Sequence, residues 1–445
     1  MRNRLVCCGI TTALIALAVL PANAQQPWTL RQCADYAVSH NISIQQRQNQ
    51  RQQWELQLST VRNSRLPDLN GSVGENLSFG RAQTQDGTYA NRNTNNTSFG
   101  ISTSVPLFTG SQIPNQIKLN QLNLEAATQD LEKARNDIRM QVAKSYVQIL
   151  YDMEIADVAH RQIAIDSAQV ARLDAFVRNG KASQADLSQQ QATLAQARLT
   201  ATQADNAQAL SLLTLSQLLE LPSPEGFSIV RPAIDGPVDQ GISATTPDAI
   251  YAEALAIKPE VQAEQLRLSA TERNIDIAKS ALYPKLNFNA GIQSNYYKTS
   301  GLPADAFLTQ LKNNFAQYLG FSLNVPIFTR FQTRNNIRSA RLERANQLLA
   351  LEDVKKTLYK EIQQVYYNAL AAQSKYESSR AATISARDAF ALMQAKYENG
   401  KATITEFNES KNNYLKSESN LVQARYEFLY QSALLNFYQG KELNF

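Results

Sequence analysis

Apolar and polar positions along this chain follow two periods, and the places where one gives way to the other recur. Residues 98–108 (SFGISTSVPLF) and 318–328 (YLGFSLNVPIF) alternate at every second position, reach a Val-Pro-aliphatic-Phe corner, and then enter a long helical run. Val105, Pro106 and Phe108 return 220 residues later as Val325, Pro326 and Phe328, and Asn179, Gly180 and Lys181 return as Asn399, Gly400 and Lys401. A register kept over roughly seventy-five residues marks an internal duplication.

Four segments alternate in this way: 69–79, 98–107, 286–293 and 315–325. Each has one apolar face and one face of Ser, Asn, Gly and Gln. A half-buried strand in a soluble sheet is the plain reading of any one of them. Three features favour lipid instead. The segments are about 9 to 11 residues long, enough to cross a bilayer when tilted. Their polar face is uncharged, as suits a water-filled lumen. The connecting stretches, 81–96 and 297–314, are long and polar. Four strands cannot close, and open edges are not viable in lipid, so closure requires more than one chain.

The helical runs are equally regular. Residues 28–65 predict one helix stopped before Pro67, and Pro247–Leu282 predict its counterpart, stopped before Pro284. From Ile113 to Val177 there is no Gly, and Pro114 sits where a first turn tolerates it. Roughly 65 helical residues reach about 95 to 100 Å. Apolar side chains keep a seven-residue step at Ile117, Leu124, Leu131 and Ile138, shift by four, and resume at Val142, Ile149, Ala156, Ile163, Val170 and Val177. This heptad with one stutter predicts coiled-coil packing. The second copy carries Leu351, Leu358, Ile362, Ala369, Tyr376 and Phe390. Each long helix ends at a glycine turn, with Ser183 or Thr403 placed to cap a returning helix over about 184–221 or 404–439. Between the copies, residues 222–246 are rich in Pro and Gly, and Phe227, Ile229 and Val230 could pair there as a short strand.

The expected architecture is mainly α with a membrane β portion: long antiparallel helical hairpins plus four strands per chain. The expected domains are a leader over 1–24, a first repeat over 25–221, a linker over 222–246 and a second repeat over 247–445. The leader reading rests on Arg2 and Arg4, an apolar run and Ala22-Asn23-Ala24. After its removal only Cys33 remains, too few cysteines for an intrachain disulfide. With 44 basic and 39 acidic residues and no basic block past the N-terminus, nucleic-acid binding has little support. His40 and His160 are the only histidines, and no nucleophile triad, metal-ligand cluster or phosphate loop stands out. No catalytic role, cofactor or metal is expected.

These residues resemble the TolC-type outer-membrane efflux channel family over essentially the whole mature chain. The resemblance rests on the duplication, the VPLF and VPIF corners, and the tips FVRNGKASQADL and KYENGKATITEF. It implies a homotrimer whose chains complete a twelve-stranded barrel in outer-membrane lipid, with the helices forming a hollow periplasmic α-barrel. Sequence alone also allows a dimer with eight strands. The resemblance further implies a periplasmic adaptor protein as direct partner, an inner-membrane transporter reached through it, and passive conduction of an exported substrate. It matches Tyr397, Glu406, Glu409 and Asp186 to gate and aperture positions, and it makes Gly180, Lys181, Ser183, Gly400, Lys401 and Thr403 candidates for adaptor docking. Glutamates on a solvated helix face, and tip residues that merely cap helices, are the plainer alternatives. The arginine that the family pattern places two residues after the second tip glycine is Ala402 here, so a looser gate is expected. The rival function is a non-conducting periplasmic coiled coil.

Overall fold

The computed structural model describes residues 27–83, 86–232 and 246–443. The expected leader and the middle of the linker lie outside the described residues. Elements run α1 (Leu30–His40), α2 (Ile42–Asn63), β1 (Asn70–Ser78), β2 (Arg81–Gln83), β3 (Tyr89–Asn91), β4 (Thr94–Phe108), α3 (Gln112–Arg178) and α4 (Gln184–Leu218). They continue as α5 (Pro247–Ile257), α6 (Pro259–Ser280), β5 (Lys285–Thr299), α7 (Phe307–Asn313), β6 (Ala316–Asn324), α8 (Gln332–Glu398) and α9 (Ile404–Tyr438). Both α3 and α8 have 67 residues, both α4 and α9 have 35, and each pair is offset by 220.

The stretch expected as one helix over 28–65 is two. Asn41 adopts ψ 130°, ends α1 and caps α2 by accepting from the Ser43 N–H at 3.0 Å. Its counterpart 217 residues on, Lys258, breaks the second stretch because Pro259 excludes helical backbone from the residue before it. No proline announces the first break. The capping oxygen of Asn41 makes it.

The four long strands form one antiparallel sheet in the order β1-β4-β5-β6. The connecting stretches are shorter than expected and partly regular: β4 begins at Thr94, β5 runs on to Thr299, β2 pairs with β3, and α7 folds back on β5. The two corners also differ. Val105 and Pro106 stay paired with Phe288 and Asn287, with a bulge before Phe108, whereas Val325 and Pro326 lie past the end of β6. Asn324 pairs with Lys285, so the next residue on the neighbouring strand is Pro284, which has no N–H to offer. Each corner then turns through two left-handed residues, Gly110 and Ser111 or Arg330 and Phe331. A Cβ on Gly110 would stand 2.7 Å from the Ser280 carbonyl oxygen, so only glycine fits there.

Below the sheet the helices lie side by side. α3 is flanked by α2 and α6 near the strands and by α4 and α9 toward the tips, while α8 packs on α6 and α9. The heptad positions Leu131, Ile138, Val142, Ile149 and Ala156 are buried, as are Leu351, Leu358, Ile362 and Ala369. The four-residue shift occurs at 138/142 and 358/362, the same place in both copies. Two cores form there. One gathers α1, α3, the end of α4 and the linker's Phe227 and Ile229. The other gathers α5, α6, α8 and α9. The linker pairs with Trp28 at Ile229 as a single parallel bridge, and the Tyr146 hydroxyl donates to the Val230 carbonyl at 2.6 Å.

Candidate functional site

Two regions carry chemistry: the sheet and the helix tips. In the sheet the register sorts side chains by face. Opposite one another stand Val105, Phe288 and Phe321; Thr103, Ala290 and Leu319; Ile101 and Ile292; and Val73 and Phe99. The other face aligns Ser72, Gly100 and Gln293, and Asn289 with Ser104 and Gly320. One apolar and one polar surface therefore extend across all four strands. Much of the apolar one is bare, with Leu319 79% and Phe321 71% exposed. From Leu286 to Tyr296 it spans about 33 Å of strand, or about 25 Å along the normal at a tilt near 40°. That is the height of a barrel's lipid-facing band.

At the tips, Gly180 (φ 68°) and Gly400 (φ 70°) close six-to-one turns: the Lys181 N–H donates to the Phe176 carbonyl and the Lys401 N–H to the Lys396 carbonyl, both at 2.8 Å. Ser183 and Asp186 form a capping box, and so do Thr403 and Glu406. Asp186 accepts from the Ser183 hydroxyl at 2.7 Å, and Glu406 accepts from the Thr403 N–H at 2.7 Å. That backbone N–H holds the Glu406 carboxyl below the usual carboxylate range. Two of the three carboxylates matched to the aperture thus also cap helices. Glu409 is exposed one turn on. The Lys181 and Lys401 side chains are exposed and carry no ion pair among the described residues.

Tyr397 is held by groups that sequence reading missed. Its hydroxyl accepts from Gln169 at 2.5 Å, its ring stacks on Phe407 at 5.0 Å, and the Arg172 guanidinium lies 5.4 Å from the centroids of both Tyr397 and Phe176. Arg172 also donates to the Glu398 carbonyl at 3.2 Å. Burial pushes the Tyr397 hydroxyl above its ordinary pKa. A cation thus reaches Tyr397 from α3, across the seam between the two hairpins.

Higher in the same seam, Lys411 of α9 and Asp166 of α3 form an ion pair with both side chains fully buried. Gln190 of α4 donates to Asp166 at 3.1 Å and accepts from Asn408 of α9 at 3.0 Å. The available signal was positional: Asp166 lies three residues after Ile163 and four before Val170, inside the heptad seam.

The outer membrane efflux protein family model matches residues 34–220 and 250–441. The chain belongs to that family. Among its relatives, the fusaric acid resistance protein FusA of Burkholderia cepacia is 26% identical over 63% of this chain and 52% of its own length, and the outer membrane efflux protein BepC of Brucella suis is 23% identical over 83% and 76%. The chain spans about half the length of the first of these. The crystal structure of VceC from Vibrio cholerae superposes with a TM-score of 0.75 at 18% identity, covering 93% of this chain and 97% of that one. As an outer membrane efflux protein, the chain belongs to the outer membrane.

Proposed function

We propose that this efflux protein is the exit duct of a tripartite export system. In this reading three copies close a twelve-stranded barrel, and the hairpin tips form both the periplasmic gate and the seat of an adaptor protein fed by an inner-membrane transporter. The observation that carries the reading is the two-faced sheet, bare and apolar on one side and uncharged and polar on the other over most of its rows, with both edges open. The free edge strands β1 and β6 adjoin α2 and α8, the free flanks of the helical layer, so the same two sides are open in lipid and in periplasm. A non-conducting coiled coil has no use for such a band.

In the gate reading, Tyr397, Asp186, Glu406 and Glu409 narrow and charge the aperture, while the glycine turns project Lys181, Ser183, Lys401 and Thr403 toward the adaptor. Carboxylates repeated by symmetry at a constriction focus negative potential and draw cations. The relatives' names refer to fusaric acid resistance and to pyoverdine export. Such unlike cargoes suit a passive conduit with few selective contacts.

The test is single-channel conductance in planar bilayers with added trivalent cation. Small cation-selective openings that the cation blocks are expected. Glu406→Gln with Glu409→Gln should lift the block while leaving the cap intact, because glutamine serves a capping box as well. Block that persists in the double variant would return both glutamates to the solvated face.

A further inference from the structure

We infer that α7 is an interfacial helix that rests on the outer rim of the barrel and inserts into the headgroup layer of the outer leaflet. The inference rests on the reading of the strands as a barrel in lipid.

The sheet shows on which side α7 lies. β5 runs to Thr299, but β6 pairs with it only from Gln293 downward, which leaves a notch beside residues 294–299. α7 fills that notch. Its Gln310 replaces the missing strand, accepting from the Tyr297 N–H at 2.9 Å and donating to the Tyr297 carbonyl at 3.0 Å, and Asn314 donates to the Asn295 carbonyl at 2.7 Å. Phe307 packs on Phe99 at 6.0 Å and on Tyr296 at 5.4 Å, and the Ser294 hydroxyl donates to the Leu311 carbonyl at 2.7 Å. By register, Phe99, Ser294 and Tyr296 all belong to the apolar face. The segment therefore folds outward over the lipid-facing surface, not into the lumen.

The height fits as well. Tyr296 stands at the top of the band, where barrels place aromatic girdles. Lys298, on the same face one pair higher, and Lys312 are exposed and carry no ion pair among the described residues. Their stems can lie along apolar surface while the ammonium groups meet lipid phosphates. Leu308 is 76% exposed and Leu302 47%. Water gives such leucines no partner, whereas the acyl boundary does.

The test uses the full protein in vesicles of phosphatidylcholine and phosphatidylglycerol, with the phosphatidylcholine brominated either near the glycerol or near the chain end. Trp28 and Trp54 belong to the helical part, and the unsubstituted protein sets the background. Emission added by Leu308→Trp should fall at least twofold, and further with the shallow bromines than with the deep ones. Leu319→Trp, in the middle of the band, should show the reverse order. Quenching of Leu319→Trp with none of Leu308→Trp would overturn the inference, placing α7 in water or beneath a second copy. Quenching of neither, in protein shown to be in the vesicles, removes the barrel reading and this inference with it.

Discussion

The tip proposed as the gate is assembled from side chains that single positions do not advertise. Ala402 offers no cation, yet Arg172 reaches Tyr397, Phe176 and the Glu398 carbonyl from the other hairpin. A cation over a half-exposed ring contributes about 0.5–1 kcal/mol, and a hydrogen bond a similar amount. Arg172→Ala should therefore shift the closed-to-open balance by about 1 kcal/mol, roughly fivefold, visible as more frequent openings in bilayer recordings. Arg172→Lys should fall between the two, because an ammonium keeps the charge but loses the planar stacking geometry. Recordings of Arg172→Ala that match the unsubstituted protein would mean that Tyr397 and Phe407 hold the tip unaided. The glycine turns and the caps at Ser183 and Thr403 were legible in the residues themselves, whereas the gate roles of Tyr397, Asp186 and Glu406 come from the family resemblance and stay part of the proposal. Arg172 was not legible, because an arginine on a long helix looks like any solvated charge until a second helix is laid beside it.

At the scale of elements, the long features were legible and the short ones were not. Helices of 67 residues with a stutter at 138/142 and again at 358/362 declare themselves through sustained period. The seven residues of α7 and the three-residue strands β2 and β3 are too short for any period to show, and the break at Asn41 is decided by one side-chain oxygen. The joint between hairpins is the other hidden element. Lys411 and Asp166 are fully buried, and one oxygen of Asp166 and one of Asn408 have no hydrogen-bond partner among the described residues. Such a pair contributes little net stability, but removing one member leaves a buried charge at a cost of about 3–5 kcal/mol. Lys411→Met should therefore loosen α9 from α3 and α4, raising hydrogen exchange near residues 405–415 on the order of a hundredfold or more. Adding Asp166→Asn should restore most of the protection, since no charge then remains unpaired. A single variant that exchanges like the parent would show that water already reaches the pair.

On the whole molecule, what is exposed says more than what is buried. The apolar band demands lipid, but the helical layer lies below it in water, and there Leu342, Leu349, Tyr367 and Leu370 stand exposed on α8 while Leu56, Leu199 and Leu210 stand exposed on α2 and α4. Leu342 and Leu349 are one heptad apart, an exposed seam that no element covers among the described residues. In the proposed trimer the flank beside β6 meets the flank beside β1, and pairing between copies covers both at once. Burying a leucine contributes about 1.5–3 kcal/mol, and closure by symmetry repeats that gain at every joint, so the interface is sensitive to each such position. Leu342→Asp with Leu349→Asp should leave the helical content of each chain intact, because the two residues are 68% and 67% exposed and have little internal packing to lose. The same change should reduce the mass of the detergent-solubilised particle from three chains to one, as read by light scattering on a sizing column. A three-chain particle that survives both aspartates would place the energy of closure in the β1 and β6 edges, where backbone hydrogen bonds in lipid have no water to replace them.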